Sequence, residues 1–177
     1  MSAHLSLREL ARRIDVSPSL LSQIERGLAQ PSVATLWSLV AALDVSLDSL
    51  FVADPSADPQ AYGTGSARVL RASERPAIDL EGSVRWERLT PTPDPDVDFA
   101  FVTYEASSTF DRRPTAVHSG REYGYLICGE LLIEVGGTEI TLGPGDSVVL
   151  ESAVPHRFRA TGDVPALAVW WNLRSPR

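Results

Sequence analysis

The chain has 177 residues, enough for one large domain or two small ones. Its 44% apolar and 22% charged residues are ordinary for a soluble globular protein, and no apolar run is long enough to cross a bilayer, so a membrane is not an expected partner. The formal charge of −7 speaks against nucleic acid as a partner of the whole surface.

That charge is unevenly spread. Residues 1–52 carry Arg8, Arg12, Arg13 and Arg26 against five acidic residues, and most of the excess acid lies further on. An acidic body is compatible with a locally basic face, because charges are screened beyond about 8 Å at physiological salt. The opening MSAHLSLREL lacks the basic-then-apolar order of a secretion signal. The lone Cys128 has no disulfide partner in the chain and behaves by default as a small apolar residue; both points suit a cytoplasmic location.

Up to residue 52 the pattern is helical. Ser6 is placed to cap a helix through LRELARRI, with Leu7, Leu10, Ala11 and Ile14 on one face. Ser17-Pro18 opens a second helix, SLLSQIER, which Gly27 closes. Ser32 caps a third, VATLWSLVAALD, and Ser46 a short fourth, LDSLF. Residues 53–66, ADPSADPQAYGTGS, read as a linker. From residue 67 to 177 the period becomes that of strands: RVL, VRWERL, FAFVTYEA, YGYLICG, LLIEVG, TEITL, SVVL, HRFRA and ALAVWWNL, separated by turns such as Gly136-Gly137 and Gly143-Pro144-Gly145. Many short strands predict a sandwich or barrel. The expected organisation is therefore two domains, an all-α domain over 1–52 and an all-β domain over 67–177.

The first two helices are joined by Asp15-Val16-Ser17, a turn short enough for a helix-turn-helix. Ser17, Ser19, Ser22 and Gln23 fall outside the apolar face of the second helix, and a glutamine can bind adenine bidentately. Ser6, Arg8, Arg26, Gln30, Ser32 and Thr35 lie near helix starts and in the following loop, where phosphates are commonly held. The same periodicity is met by a plain helical bundle with solvated polar faces. SPSLLSQIERG followed by PSVATL closely resembles the XRE-type, lambda-repressor-like helix-turn-helix family over most of residues 5–51. The resemblance implies double-stranded DNA as partner, base contact by Ser17, Ser19, Ser22 and Gln23, and phosphate contact by Ser6, Arg26 and Ser32. The family places another helix before the one that starts here at Ser6, and MSAHL is too short to form it. Either the start lies further upstream or the helix is lacking, in which case Leu7, Trp37 or Leu50 would be left uncovered.

In the second half, HSGREYGYLICG (118–129) and GPGDSVVLESAVPH (143–156) hold two of the three histidines. Two imidazoles and a carboxylate from separate strands, His118, Glu122 and His156, suffice for a metal site with open positions. They would equally serve as a His118–Glu122 hydrogen bond with His156 at a strand start. These segments resemble the two motifs of the cupin family through His118, Glu122 and Gly129, then Gly145, Asp146, Pro155 and His156. The resemblance implies a double-stranded β-helix, jelly-roll barrel and a divalent metal ion such as Zn, Fe, Ni or Mn on those three side chains. Ala116 stands where the first motif usually has a further histidine, and Ala160 where the second usually has an asparagine. An organic effector pocket is the alternative content of the barrel, with Phe101, Tyr104, Tyr125 and Trp170 as lining aromatics and Arg121 as a carboxylate partner.

Together these readings predict a transcription regulator, not an enzyme, that binds DNA through its helices, senses an effector or metal in the barrel, and dimerises through it. The competing reading is a cupin metalloenzyme, a dioxygenase or isomerase, with an appended helical domain. No second polar constellation in the sequence supplies acid–base partners for it.

Overall fold

In the computed structural model of the protein, residues 5–45, 47, 50–51, 68–94, 96–106 and 115–173 are described. Three helices come first: α1 (Leu7–Arg13), α2 (Pro18–Glu25) and α3 (Val33–Leu43). Each begins as its sequence dictates. The hydroxyls of Ser6, Ser17 and Ser32 accept the backbone N–H three residues on, from Glu9, Leu20 and Thr35. The tight corner between α1 and α2 passes through Asp15 at φ 56°, and the Val16 N–H returns to the Ala11 carbonyl. Ala11 is fully buried where α1 meets α2, a crossing that only a small side chain permits. The expected fourth helix cannot be judged, since Ser46, Asp48 and Ser49 lie outside the described residues; its Leu47 and Phe51 are buried. The expected linker 53–66 also lies outside them.

A 3-10 turn, Ala72–Glu74, precedes nine strands: β1 (Ala77–Leu80), β2 (Val84–Arg88), β3 (Val97–Tyr104), β4 (Arg121–Cys128), β5 (Leu131–Val135), β6 (Thr138–Leu142), β7 (Ser147–Glu151), β8 (His156–Ala160) and β9 (Ala166–Leu173). They form a six-stranded sheet ordered β1-β2-β3-β9-β4-β7 and a three-stranded sheet ordered β6-β5-β8. All named pairs are antiparallel, and the two sheets enclose one apolar core in the manner of a jelly roll. The expected strand RVL (68–70) is not a strand: it runs directly into the 3-10 turn. The first strand is instead AIDL, which closes a hairpin with β2 over the turn Glu81-Gly82-Ser83.

Alternation along the long strands sets what faces inward. On β4 the buried set is Glu122, Gly124 and Leu126. Gly124 is required, because a Cβ there would lie 2.5 Å from the Trp170 ring of β9.

The core does not stop at the expected domain boundary. Ala34, Leu36, Trp37 and Val40 of α3, with Leu47 and Phe51, belong to the same buried cluster as Trp86, Tyr104, Leu126 and Trp170 of the barrel. Trp37 is 8% exposed, and its ring meets Trp86 edge-on at 6.2 Å. Arg88, 2% exposed, donates from Nη1 to the Phe51 carbonyl (3.4 Å) and from Nε to the Thr90 carbonyl (3.0 Å). The Glu81 N–H bonds to the Pro31 carbonyl. The expectation that Trp37 would be uncovered is thus corrected: the barrel covers it. Residues 1–4, on which the question of an earlier helix turns, lie outside the described residues.

Candidate metal centre and nucleic-acid interface

Helix α2 carries an exposed polar face. Ser17, Ser19 and Gln23 are exposed on it, and Ser22 is half-buried. Arg26, at its end, is exposed and donates from Nε to the Ser22 carbonyl at 3.1 Å. Arg8, Arg12 and Arg13 are exposed along α1, so the face that carries α1 and α2 has most of the basic groups of the helical region. Ser6 is exposed at the start of α1. Ser32 departs from the expected phosphate contact. Its side chain is committed to capping α3, bonded to Thr35 at both N–H and Oγ1, and the residue is 4% exposed. Proline at 31 and the docking of α3 on the barrel turn it inward.

Against Trp37 of α3 lies the three-residue cluster. Glu122 points inward from β4, His156 begins β8, and His118 stands just before β4. A backbone bridge between Ala116 and His156 brings the two segments together. His118 Nε2 is 2.8 Å and His156 Nε2 3.1 Å from Glu122 Oε1. All three donor atoms lie within 4.8 Å of one another. The His118 and Glu122 side chains are 5% and 8% exposed.

The protonation pattern follows from the outer contacts. His156 Nδ1 donates to the Val154 carbonyl at 2.8 Å, and His118 Nδ1 faces the Ser119 carbonyl at 3.3 Å. These outer contacts turn Nε2 of each ring toward Glu122. The carboxylate and the two rings share one buried space, where an ionised carboxylate is tolerated only beside donors or positive charge. His118 Nε2 and His156 Nε2 both lie within hydrogen-bonding distance of the buried Glu122 Oε1. Burial pushes the Glu122 carboxyl up, and the two imidazoles beside it reverse that and hold it at about 2. Burial lowers His156, and the hydrogen bond to Glu122, the Glu122 charge and the bond to the Val154 carbonyl outweigh it, so that His156 is raised overall. Two imidazole nitrogens and a carboxylate oxygen converging in one buried place make a donor set that a metal ion can take.

Over this cluster sits Trp37. Its indole stacks on the His118 ring with centroids 3.7 Å apart and planes 16° from parallel. A cavity runs from the stack into the barrel, lined by Trp86, Asp98, Tyr104, Glu122, Trp170 and Asn172 among others. Its free space is about 30 Å³, room for one or two water molecules. Burial and the Glu122 charge keep the Tyr104 phenol protonated.

Of the expected pocket residues, Tyr104 and Trp170 line this cavity, and three do not. Phe101 lies on the outer face of β3 with the Arg75 guanidinium 5.6 Å over its ring. Tyr125 is 50% exposed on the outer face of β4, and Arg121 pairs with Glu151 on the same face. Strand parity is the reason: residues an odd number of positions from Glu122 or Tyr104 on the same strand must face outward. Trp37, Trp86, Asp98 and Asn172 were not anticipated at the site. Trp37 carried the one available signal, a large apolar side chain that the helical domain alone could not cover.

Residues 102–172 match the cupin domain family, and residues 1–50 match the helix-turn-helix family. The chain is similar to the HTH-type transcriptional regulator PuuR of Escherichia coli (25% identical over 158 residues, covering 89% of this chain and 80% of that protein). It is also similar to the regulator SutR of the same organism (28% over 159 residues, with the same coverage). Among solved structures, a transcriptional regulator of the HTH_3 family from Vibrio cholerae aligns over 97% of this chain and 88% of its own, with a TM-score of 0.63 at 24% identity. Hydroxypropylphosphonic acid epoxidase from S. wedmorenis aligns over 94% of this chain and 88% of its own, with a TM-score of 0.54 at 22% identity. At these identities the two structures bear on the fold alone. Among the described residues no helix is long and apolar enough to cross a membrane. The chain carries an XRE-type helix-turn-helix domain at its N-terminus joined to a C-terminal cupin domain.

Proposed function

We propose that this protein is a cytoplasmic, dimeric DNA-binding transcription regulator, not an enzyme. In this reading α2 reads base edges with Ser17, Ser19, Ser22 and Gln23, while Ser6 and Arg26 contact phosphate. The cluster His118, Glu122 and His156 senses a divalent metal, Zn, Fe, Ni or Mn, or an effector bound beside it. The DNA-binding part is supported by the names of the curated relatives, both transcriptional regulators. The sensing part is supported by one observation, the Trp37 indole stacked on the His118 ring.

That contact joins a side chain of the helical domain to a candidate metal ligand. When bound, a metal would supply a Lewis-acidic centre with positions left open for a small oxygen or nitrogen ligand. The residues of the chain do the rest. His156 is oriented by Val154, Glu122 supplies the charge, and Trp37 closes the mouth. A cavity of about 30 Å³ admits no organic effector unless Trp37 or its neighbours move. Entry of such a ligand then displaces α3, and with it the DNA-reading pair. By reciprocity, DNA that favours one placement of α3 changes affinity at the cluster by the same factor.

The test joins a gel shift on DNA from upstream of its own coding region, at physiological salt and with and without added metal, to elemental analysis of untagged protein. Expected are a specific shift, metal in the wild type, and loss of both metal and metal-dependent DNA affinity in the His118→Ala, His156→Ala double variant. Equal metal content in the two proteins sinks the metal site. Absence of any specific shift sinks the regulator, and turnover of a small substrate that vanishes with the double variant replaces it by the enzyme reading.

A further inference from the structure

One inward row of the six-stranded sheet is polar. Strand register sets Asp98 of β3 opposite Asn172 of β9, and Asn172 opposite Glu122 of β4. All three are buried, none more than 6% exposed. The next two inward rows hold Ala100, Trp170 and Gly124, then Val102, Ala168 and Leu126, with no side-chain oxygen among them. A sheet buries a polar row only when its polar atoms are met. Glu122 is met by the two imidazoles, and Asp98 has an interaction of its own. The side-chain carbonyl of Asn172 is buried and accepts no hydrogen bond from any described residue. It lines the same cavity as Glu122. Directly opposed residues on neighbouring strands have Cβ atoms about 5 Å apart, so the amide stands beside the carboxylate of the His118, Glu122 and His156 cluster.

We propose that Asn172 supplies a fourth donor to the metal centre through its amide oxygen. The inference rests on the reading of the cluster as a metal site. An amide oxygen is a hard, neutral donor and a usual partner of divalent ions. Beside a cation the unmatched carbonyl ceases to be a cost, which accounts for a polar residue at a position where the adjoining rows of β9 hold tryptophan and alanine. The donor set becomes two nitrogens and two oxygens. What Ala116 takes away from the segment before β4 is returned from β9. Because the added donor carries no charge, it places no second carboxylate beside the buried Glu122.

The test is zinc affinity, by competition with a chromogenic chelator, and the visible absorption bands of the cobalt(II) form, for the full chain as wild type, Asn172→Leu and Asn172→Asp. Leucine is of similar size and leaves no carbonyl unmet. Metal-free Asn172→Leu is therefore expected to melt no lower than the wild type, yet to hold zinc about 10–100-fold more weakly and to show shifted cobalt bands. Asn172→Asp sets a second carboxylate beside Glu122. Its metal-free form is expected to melt lower, and zinc to raise its melting temperature by more than it raises that of the wild type. A folded Asn172→Leu with wild-type zinc affinity, or with unchanged cobalt bands, overturns the proposal and leaves the three-residue metal site standing. Should Asn172→Leu fail to fold, Asn172→Asp decides, and a zinc-induced rise no larger than that of the wild type overturns the proposal. A wild type that takes up neither zinc nor cobalt removes the metal reading itself, and this inference with it.

Discussion

Helices α2 and α3 belong to one small domain, begin with the same serine cap, and end in opposite surroundings. On α2, Ser17, Ser19 and Gln23 stand in solvent; on α3, Ala34, Thr35, Leu36, Trp37 and Val40 are buried, several of them in the core shared with the barrel. A helix with one face left in solvent must be held by something else, and here the holding is done by its neighbour and the barrel beneath it. The domain is thus divided by labour: one helix turns a polar face to solvent, the next is part of the core of the other domain.

The strongest way to break this division is Trp37→Ala. It removes a buried indole and is expected to cost about 3–5 kcal/mol of stability, measured by chemical denaturation. It should also uncouple metal from DNA affinity in any folded fraction. A loss under about 1 kcal/mol would mean that α3 is not docked on the barrel in solution. Gln23→Ala attacks the other helix. It is expected to cost about 1–3 kcal/mol on the specific DNA site, with non-specific binding and melting temperature unchanged. Equal weakening on random DNA would remove Gln23 from base reading.

Ser32→Ala distinguishes a cap from a phosphate contact. Loss of the cap should lower stability by about 1 kcal/mol and leave the salt dependence of DNA binding as it was; a shallower salt slope would restore Ser32 to the DNA face. The smallest effect is expected from Tyr125→Ala, within about 0.5 kcal/mol in monomer stability, because the ring lies outside the barrel. A ligand or metal affinity that fell with this change would return Tyr125 to the pocket.

Much of this was legible before folding. The three serine caps, the Asp15-Val16-Ser17 corner and most strands follow from local chemistry, and His118, Glu122 and His156 converge as their motifs imply. What was misread is instructive. Phe101 and Tyr104 are three apart on one strand, and Arg121 and Tyr125 are each an odd step from Glu122, so parity alone forbids them from sharing a pocket. That rule was available from the sequence once Glu122 was placed inward. Trp37 is another matter. Nothing local says that a helix-turn-helix should lay its third helix on a barrel whose first strand, at Ala77, begins 40 residues after Trp37 (77 − 37); only the excess of apolar surface on α3 hinted at a missing partner. Strand β1 was missed because AIDL is four residues long and takes its identity from β2, the strand it pairs with.

The stack of Trp37 on His118 also gives the protein an optical reporter of its own. An imidazolium in van der Waals contact with an indole quenches its emission, and a coordinated, neutral imidazole does so less, while a paramagnetic ion at that distance quenches it more. Four tryptophans contribute to the signal, but the part that belongs to Trp37 is the difference between the wild type and Trp37→Phe. Titrating each with zinc and then with nickel would read the sign of that difference directly. The state of the His118, Glu122 and His156 cluster could then be followed in real time while DNA is added, without a label on either molecule.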